Sequence, residues 1–266
     1  MLIKGIRQPA ELEKRGIPVL AVVPLAPELT KRRRCRAIPT YQSDELLAKS
    51  TPTSLAVEAL RGLRTSLHFA MLKSDNKILM ISGTSPGVGK SFVSSNLAVL
   101  MAQAGTRVLL IDCDLRRGYL HRVFSAAENG AGLADYLSQD VNISSVIQHT
   151  EYPEVDFIGR GRMTNNPAEL FMSEKFKTLL TSCSTQYDVI IIDTPPILSV
   201  TDAAIVGRYA STSLMVVRFE QNSLKEVEAG LRRFDQNGIA IQGTIFNGVE
   251  KRAAEPYTYG DYSYQE

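Results

Sequence analysis

ILMISGTSPGVGKSFVSSNLAVLMAQAG, residues 78–105, organises the reading of the whole chain. Its first five residues, ILMIS, have the apolar character of a buried strand. A loop of small residues and proline follows, Gly89-Lys90-Ser91 opens a helix, and Gly105 is placed to end it. This order has a chemical reason. Backbone N–H groups of a small-residue loop can close around phosphate oxygens, and a helix N-terminus adds positive potential. Lys90 can then reach β and γ phosphates while the Ser91 hydroxyl ligates Mg²⁺. Thr84, Ser85, Pro86, Gly87, Val88, Gly89, Lys90, Ser91 and Phe92 are the expected ATP contacts. The loop is of the Walker A kind with one departure: G-x-x-x-x-G-K-[ST] would put its first glycine where Thr84 stands, with Gly83 one residue earlier.

Apolar runs of strand length recur along the chain: Val19 to Val23, RVLLID (107–112), VDFIG (155–159), DVIIID (188–193), SLMVVRF (213–219) and QGTIFN (242–247). Helical patterns alternate with them. Continuous rather than alternating apolarity marks strands covered on both faces. The expected fold is therefore α/β, P-loop NTPase-like, with a mostly parallel central sheet between helices. Two of the strands end in carboxylates, as a Mg²⁺-nucleotide site at the carboxyl edge of a parallel sheet requires. RVLLIDCDLRRG delivers Asp112 and Asp114, and DVIIIDTPP delivers Asp193. Mg²⁺ keeps several waters, so Ser91, phosphate oxygens and one direct or water-mediated carboxylate suffice, and Asp193 is the choice for that contact.

Composition narrows the class. With 266 residues and a formal net charge of +2, the chain is an ordinary globular length and does not have the charge of a protein that coats nucleic acid. The three cysteines, Cys35, Cys113 and Cys183, lack metal-ligand spacing and read as buried thiols in a reducing compartment. No stretch reaches the ~18 apolar residues of a membrane helix, and the start has no signal-peptide core. The chain is accordingly expected to be soluble.

Three segments fall outside the sheet. Residues 1–50 read as irregular apart from the Val19 to Val23 strand. They carry the basic run at 31–34 with Arg36, which suits either a solvated loop or contact with anionic lipid. SLAVEALRGLRTSLHFAM (54–71) spaces Leu55, Leu60, Leu63, Leu67 and Met71 as the apolar face of a helix, with Glu58, Arg61 and Arg64 three apart on another face. The end, YTYGDYSYQE (257–266), has four tyrosines among small and acidic residues and reads as a disordered tail. The expected division is a juxtamembrane-type segment (1–50), a P-loop domain (51–255) and a tyrosine-cluster tail (256–266).

GTSPGVGKS, LLIDCDLRRG and VIIIDTPP together resemble the Walker A, A′ and B motifs of the bacterial tyrosine kinases (BY-kinases), in their proteobacterial Wzc/Etk-type branch, from about Val19 to Glu266. The related MinD/ParA-type ATPases usually carry a signature lysine where this chain has Ser85. EALRGLR matches the E-x-x-R-x-x-R motif through which such kinases are thought to meet a neighbour's active site. A tyrosine-rich C-terminus is the family's phosphate acceptor.

The resemblance implies several roles. Lys90, Mg²⁺ and the loop amides would neutralise charge, Asp112 would act as base, and Asp114 and Asp193 would help hold metal and water. Asn247 would contact the nucleotide base or serve as a turn residue. Tyr119 would be an internal regulatory tyrosine, with Arg160 the partner of its phosphate. Tyr257, Tyr259, Tyr262 and Tyr264 would be acceptors, phosphorylated in trans within a ring-like homo-oligomer joined through Glu58, Arg61 and Arg64. The family also implies a cytoplasmic domain of an inner-membrane protein with a periplasmic region. It further implies an opposing protein-tyrosine phosphatase and control of capsular or extracellular polysaccharide polymerisation and export. Competing expectations are a MinD/ParA-like ATPase switch and a non-catalytic nucleotide-binding assembly module.

Overall fold

The computed structural model describes residues 5–26, 46–127 and 130–250. The basic run at 31–36, Cys35 and the tyrosines of 257–266 lie outside the described residues. In chain order the elements are α1 (Pro9–Glu13), β1 (Val19–Pro24), α2 (Leu47–Ser50), α3 (Leu55–Met71), β2 (Ile78–Gly83), α4 (Lys90–Ala102), β3 (Val108–Asp112), α5 (Leu120–Val123) and α6 (Leu133–Ser138). They continue with β4 (Gln148–His149), β5 (Val155–Ile158), α7 (Pro167–Phe171), α8 (Glu174–Ser184), β6 (Val189–Asp193), α9 (Asp202–Val206), β7 (Thr212–Arg218), α10 (Leu224–Asp235) and β8 (Gly243–Val249).

The strands form one sheet in the order β1-β8-β7-β2-β6-β3-β5-β4. Every pairing is parallel except that of β4 with β5. The central strands are buried along their length because helices cover both faces, which is why their sequences are apolar throughout. Leu79, Ile81, Leu110, Ile191 and Val216 face α3 and α4, whose Leu60, Leu63, Leu67, Val93 and Leu97 complete that half of the core. Ile78, Leu109, Ile111, Ile190 and Ile192 face α8, and Met80, Met215 and Val217 face α10.

The strands read from the sequence agree with the structure to within two residues at each end. The N-terminal segment does not fit the expectation of irregular chain. Pro9 suits the first turn of α1, and the Glu11 carboxylate accepts from the backbone N–H groups of Arg7 and Gln8 at 2.8 and 3.0 Å. Strand β1 pairs with β8 as the sheet's outer member, and Gly243 leaves space for Leu20, whose Cγ would lie 2.5 Å from an added Cβ. Helix α2 is anchored by Asn96 of α4, whose Oδ1 accepts from the Ala48 N–H at 2.9 Å. The amphipathic helix expected from residue 54 is α3, capped by Ser54, whose Oγ accepts from the Val57 N–H at 3.3 Å. Cys113 and Cys183 are buried free thiols. Among the described residues no helix is long and apolar enough to cross a membrane.

Candidate active site

The carboxyl ends of β2, β6 and β3 lie side by side, so strand order alone gathers the phosphate loop and the three carboxylates at one edge. In β3 and β6, Asp112 and Asp193 are register partners. Between β2 and α4 the loop turns through Gly87 at φ 77° and Gly89 at φ 99°, left-handed conformations that glycine adopts freely. Gly89 has a second constraint, since a Cβ there would stand 2.1 Å from Asn247 Nδ2. That amide donates to the Val88 carbonyl at 2.9 Å, so buried Asn247 sits against the closing half of the loop. Gly83, at the end of β2, lets Val88 fold back: a Cβ would meet its Cγ2 at 2.8 Å.

Lys90 is buried at the first turn of α4. Burial pulls its ammonium below the ordinary lysine range, against the opposing influence of Asp193, Asp114 and Asp112. Asp193 accepts from Ser91 Oγ at 2.5 Å and from Ser94 Oγ at 2.8 Å. Burial pushes its carboxyl up to about 6 despite Lys90 and the two hydroxyls. Asp112, fully buried, is driven well above the usual carboxylate range by desolvation first, and then by Asp193 and Asp114. Its Oδ1 accepts from the Asp114 N–H at 3.1 Å and its Oδ2 from the Leu120 N–H at 3.2 Å. Gly118 packs directly on this carboxylate, whose oxygens would lie 2.4 Å from a Cβ there. Asp114 is half-buried, and its Oδ1 accepts from the Arg117 N–H at 2.9 Å.

Several contributors, among them Ser94, Asp202, Asn222 and Glu226, belong to none of the three motifs. Ser94 reaches Asp193 because α4 turns its hydroxyl toward the end of β6. Arg116 reaches the fully buried Asp202 at the start of α9, with Nε donating to Oδ2 at 2.9 Å, and so joins the segment after β3 to the segment after β6. Asn222 and Glu226 hold Thr84 and Ser85 from the β7–α10 side. The stretch S-L-K-E at 223–226 reads as a helix-start box, and Ser223 does accept from the Glu226 N–H. Nothing in that pattern says that Glu226 also reaches the phosphate loop.

Other expected site residues lie at varied distances from this centre. Tyr119 and buried Arg160 follow the neighbouring strands β3 and β5 at the same sheet edge. The α3 triad is engaged elsewhere within the chain: Arg61 pairs with Glu58 and donates to the Pro52 carbonyl at 2.9 Å. Arg64 donates to the Leu100 carbonyl at 3.0 Å. Leu100 is ~15 Å along α4 from Lys90 at 1.5 Å per residue, so α3 does not bring Arg64 to its own phosphate loop.

The arrangement can grip a polyphosphate between loop amides and Lys90 and present carboxylates to whatever approaches its far end. A family model described as "AAA domain" matches residues 76–237. A curated relative, "Tyrosine-protein kinase wzc" of Salmonella typhimurium, is 49% identical over 98% of this chain, which spans 37% of that relative's length. The solved kinase domain of the Escherichia coli tyrosine kinase ETK is 46% identical, with a TM-score of 0.86, covering 96% of this chain and 99% of that one. The Pyrococcus furiosus cell division ATPase MinD is 24% identical with a TM-score of 0.56 over 69% of this chain and 79% of its own, a likeness of fold alone. With 46% identity and near-complete mutual coverage between this chain and a solved tyrosine-kinase domain, the chain belongs to the bacterial tyrosine kinase family.

Proposed function

We propose that this chain is an ATP-dependent protein-tyrosine autokinase that transfers the γ-phosphate to Tyr257, Tyr259, Tyr262 and Tyr264 of neighbouring copies. The observation that carries the reading is the gathering of Lys90, Ser91, Asp112, Asp114 and Asp193 at one sheet edge in a chain of this family. Phosphoryl transfer asks the protein mainly for positioning and charge neutralisation, together with an acceptor for the hydroxyl proton. Lys90 and the backbone N–H groups of Thr84, Ser85 and residues 87–91 supply the first. Asp112, whose buried carboxyl holds a proton more tightly than an exposed one, supplies the acceptor. Asp114, two residues beyond β3, is more accessible than Asp112 and is suited to orienting water.

The donor set suits Mg²⁺. Desolvated carboxylates of like charge beside a hydroxyl are stabilised by a hard cation. Among the described residues no cluster of three or more ligating side chains forms an all-protein cage, which Mg²⁺ does not require. Ser91 and Asp193, with Asp112, would hold it, and when bound it would neutralise charge on the β and γ phosphates.

The tail acts between molecules in this reading. Ten residues extend at most ~33 Å at about 3.3 Å per residue, so assembly into a ring would give each tail a site on the next subunit. Glu58, Arg61 and Arg64 would exchange their internal partners for that neighbour. Phosphate on Tyr119 would turn toward Arg160 and open the site, while phosphates on the tail would loosen the ring by repulsion. In the complete protein this domain would serve polysaccharide polymerisation and export at the inner membrane, opposed by a tyrosine phosphatase. A mixing experiment tests transfer in trans: Lys90→Met chains with intact tails are combined with active chains lacking residues 257–266. Phosphotyrosine on the inactive partner is expected; a partner that stays unmodified overturns the trans reading.

A further inference from the structure

Thr84, standing where the usual phosphate-loop glycine would be, is held by residues that no phosphate-loop pattern includes. Asn222 lies just after β7 with its side chain fully buried. Its Nδ2 is 3.1 Å from Thr84 Oγ1, 3.0 Å from Ser85 Oγ and 2.8 Å from Glu226 Oε1. Thr84 Oγ1 itself donates to Glu226 Oε1 at 2.7 Å, and Gln221 Nε2 donates to the Pro86 carbonyl at 3.0 Å. Gly230 on α10 makes room for the threonine methyl, which would be 2.7 Å from a Cβ there. Asn222 Oδ1 accepts from the Arg218 N–H at 2.7 Å, fixing the amide to the end of β7.

The opposite side of the same turn is occupied by the N-terminal segment. Ile6 N–H donates to the Asn222 carbonyl at 2.8 Å, and Glu220 N–H donates to the Ile6 carbonyl at 2.8 Å. Arg7 pairs with Glu220 at 2.8 Å. The fit is close, since a Cβ on Gly5 would stand 2.2 Å from the Glu220 carbonyl oxygen. Glu220 has φ 55°, a left-handed conformation that a non-glycine residue holds when its surroundings impose it.

We propose that Asn222 is a positioning residue for the phosphate loop, and that through it the N-terminal segment at residues 5–7 sets how tightly the loop holds a nucleoside diphosphate. Loop amides bind phosphate well when they are already arranged around its position. Releasing either side of the turn lets Thr84 and Ser85 wander and removes that arrangement. The inference rests on the loop being a nucleotide site and is independent of phosphate transfer to tyrosine.

The test is the affinity of the full chain for Mg-ADP, measured by calorimetry well below the melting temperature. Asn222→Ala should weaken binding about tenfold and Gly5→Ala, which meets Glu220 and not the loop, about threefold; contacts in one network are non-additive, so the double variant should bind no more weakly than Asn222→Ala alone. Thr84→Ser, which keeps the hydroxyl, should retain affinity that Thr84→Val loses. This pair reads the network if Asn222→Ala does not fold. Gly5→Ala binding within twofold of wild type, or losses that simply multiply in the double variant, would overturn the coupling. A wild-type chain that does not bind Mg-ADP at all would overturn the nucleotide reading and this inference with it.

Discussion

Asp193 receives two hydroxyl hydrogen bonds and the field of Lys90, yet its proton affinity is raised, so desolvation outweighs every favourable contact it makes. Its carboxyl is held at about 6 in the fold, against about 3.9 in an unfolded chain. Between those values the folded chain binds more protons than the unfolded one. The stabilising share of Asp193 is therefore complete below about pH 4 and lost as pH rises through 6, a change of roughly 3 kcal/mol. Asp112 shifts in the same direction. Urea unfolding of the nucleotide-free chain and of Asp193→Asn over this range should show the wild type losing stability relative to the variant. A constant difference between them would contradict the assignment. At pH 7 Asp193→Asn should equal or exceed the wild type in stability while binding Mg-ADP more weakly, the trade common where a site keeps unfavourable charges together. At this scale Lys90, Ser91 and the three aspartates were legible because loop spacing and strand-end position specify them. Ser94 and Asn222 were not, since both act only after separate elements have been packed.

Helix α9 and the segment after β3 are joined by Arg116 and Asp202, and the cost of parting them depends on which partner remains. Arg116→Ala leaves a fully buried carboxylate without its guanidinium, which costs about 2–3 kcal/mol after discounting for the partial exposure of Arg116. Removing both partners in Arg116→Ala/Asp202→Ala should recover part of that loss, and chemical denaturation of the three variants measures it. Gly89 presents a sharper constraint, because both its φ and the neighbouring Asn247 amide forbid a side chain. Gly89→Ala should reduce Mg-ADP affinity by at least about tenfold, or ~1.4 kcal/mol, while the sheet remains folded. Strands buried on both faces were easily read from sequence because their apolar runs are continuous. The two-residue β4 and the short helices α1 and α2 were missed for a physical reason. They are too brief to show a period and are fixed by Glu11, Asn96 and sheet pairing instead of by pattern.

The molecule as a whole is a phosphate loop set in a mostly parallel sheet, one of whose two edge strands, β1, is supplied by the N-terminal segment. Fold class and the position of the candidate site were legible because a strand–loop–helix motif fixes the edge at which later strands must deliver their carboxylates. The internal pairing of Arg61 and Arg64 was not, since a charged stripe on a helix reads the same whether it meets its own chain or another. Phosphate transfer to tyrosine is read out by incubating the purified chain with ATP and Mg²⁺ and mapping its phosphorylated residues by mass spectrometry. Phosphotyrosine is expected within residues 257–264 and should disappear in Lys90→Met. Release of inorganic phosphate with every tyrosine unmodified would contradict it.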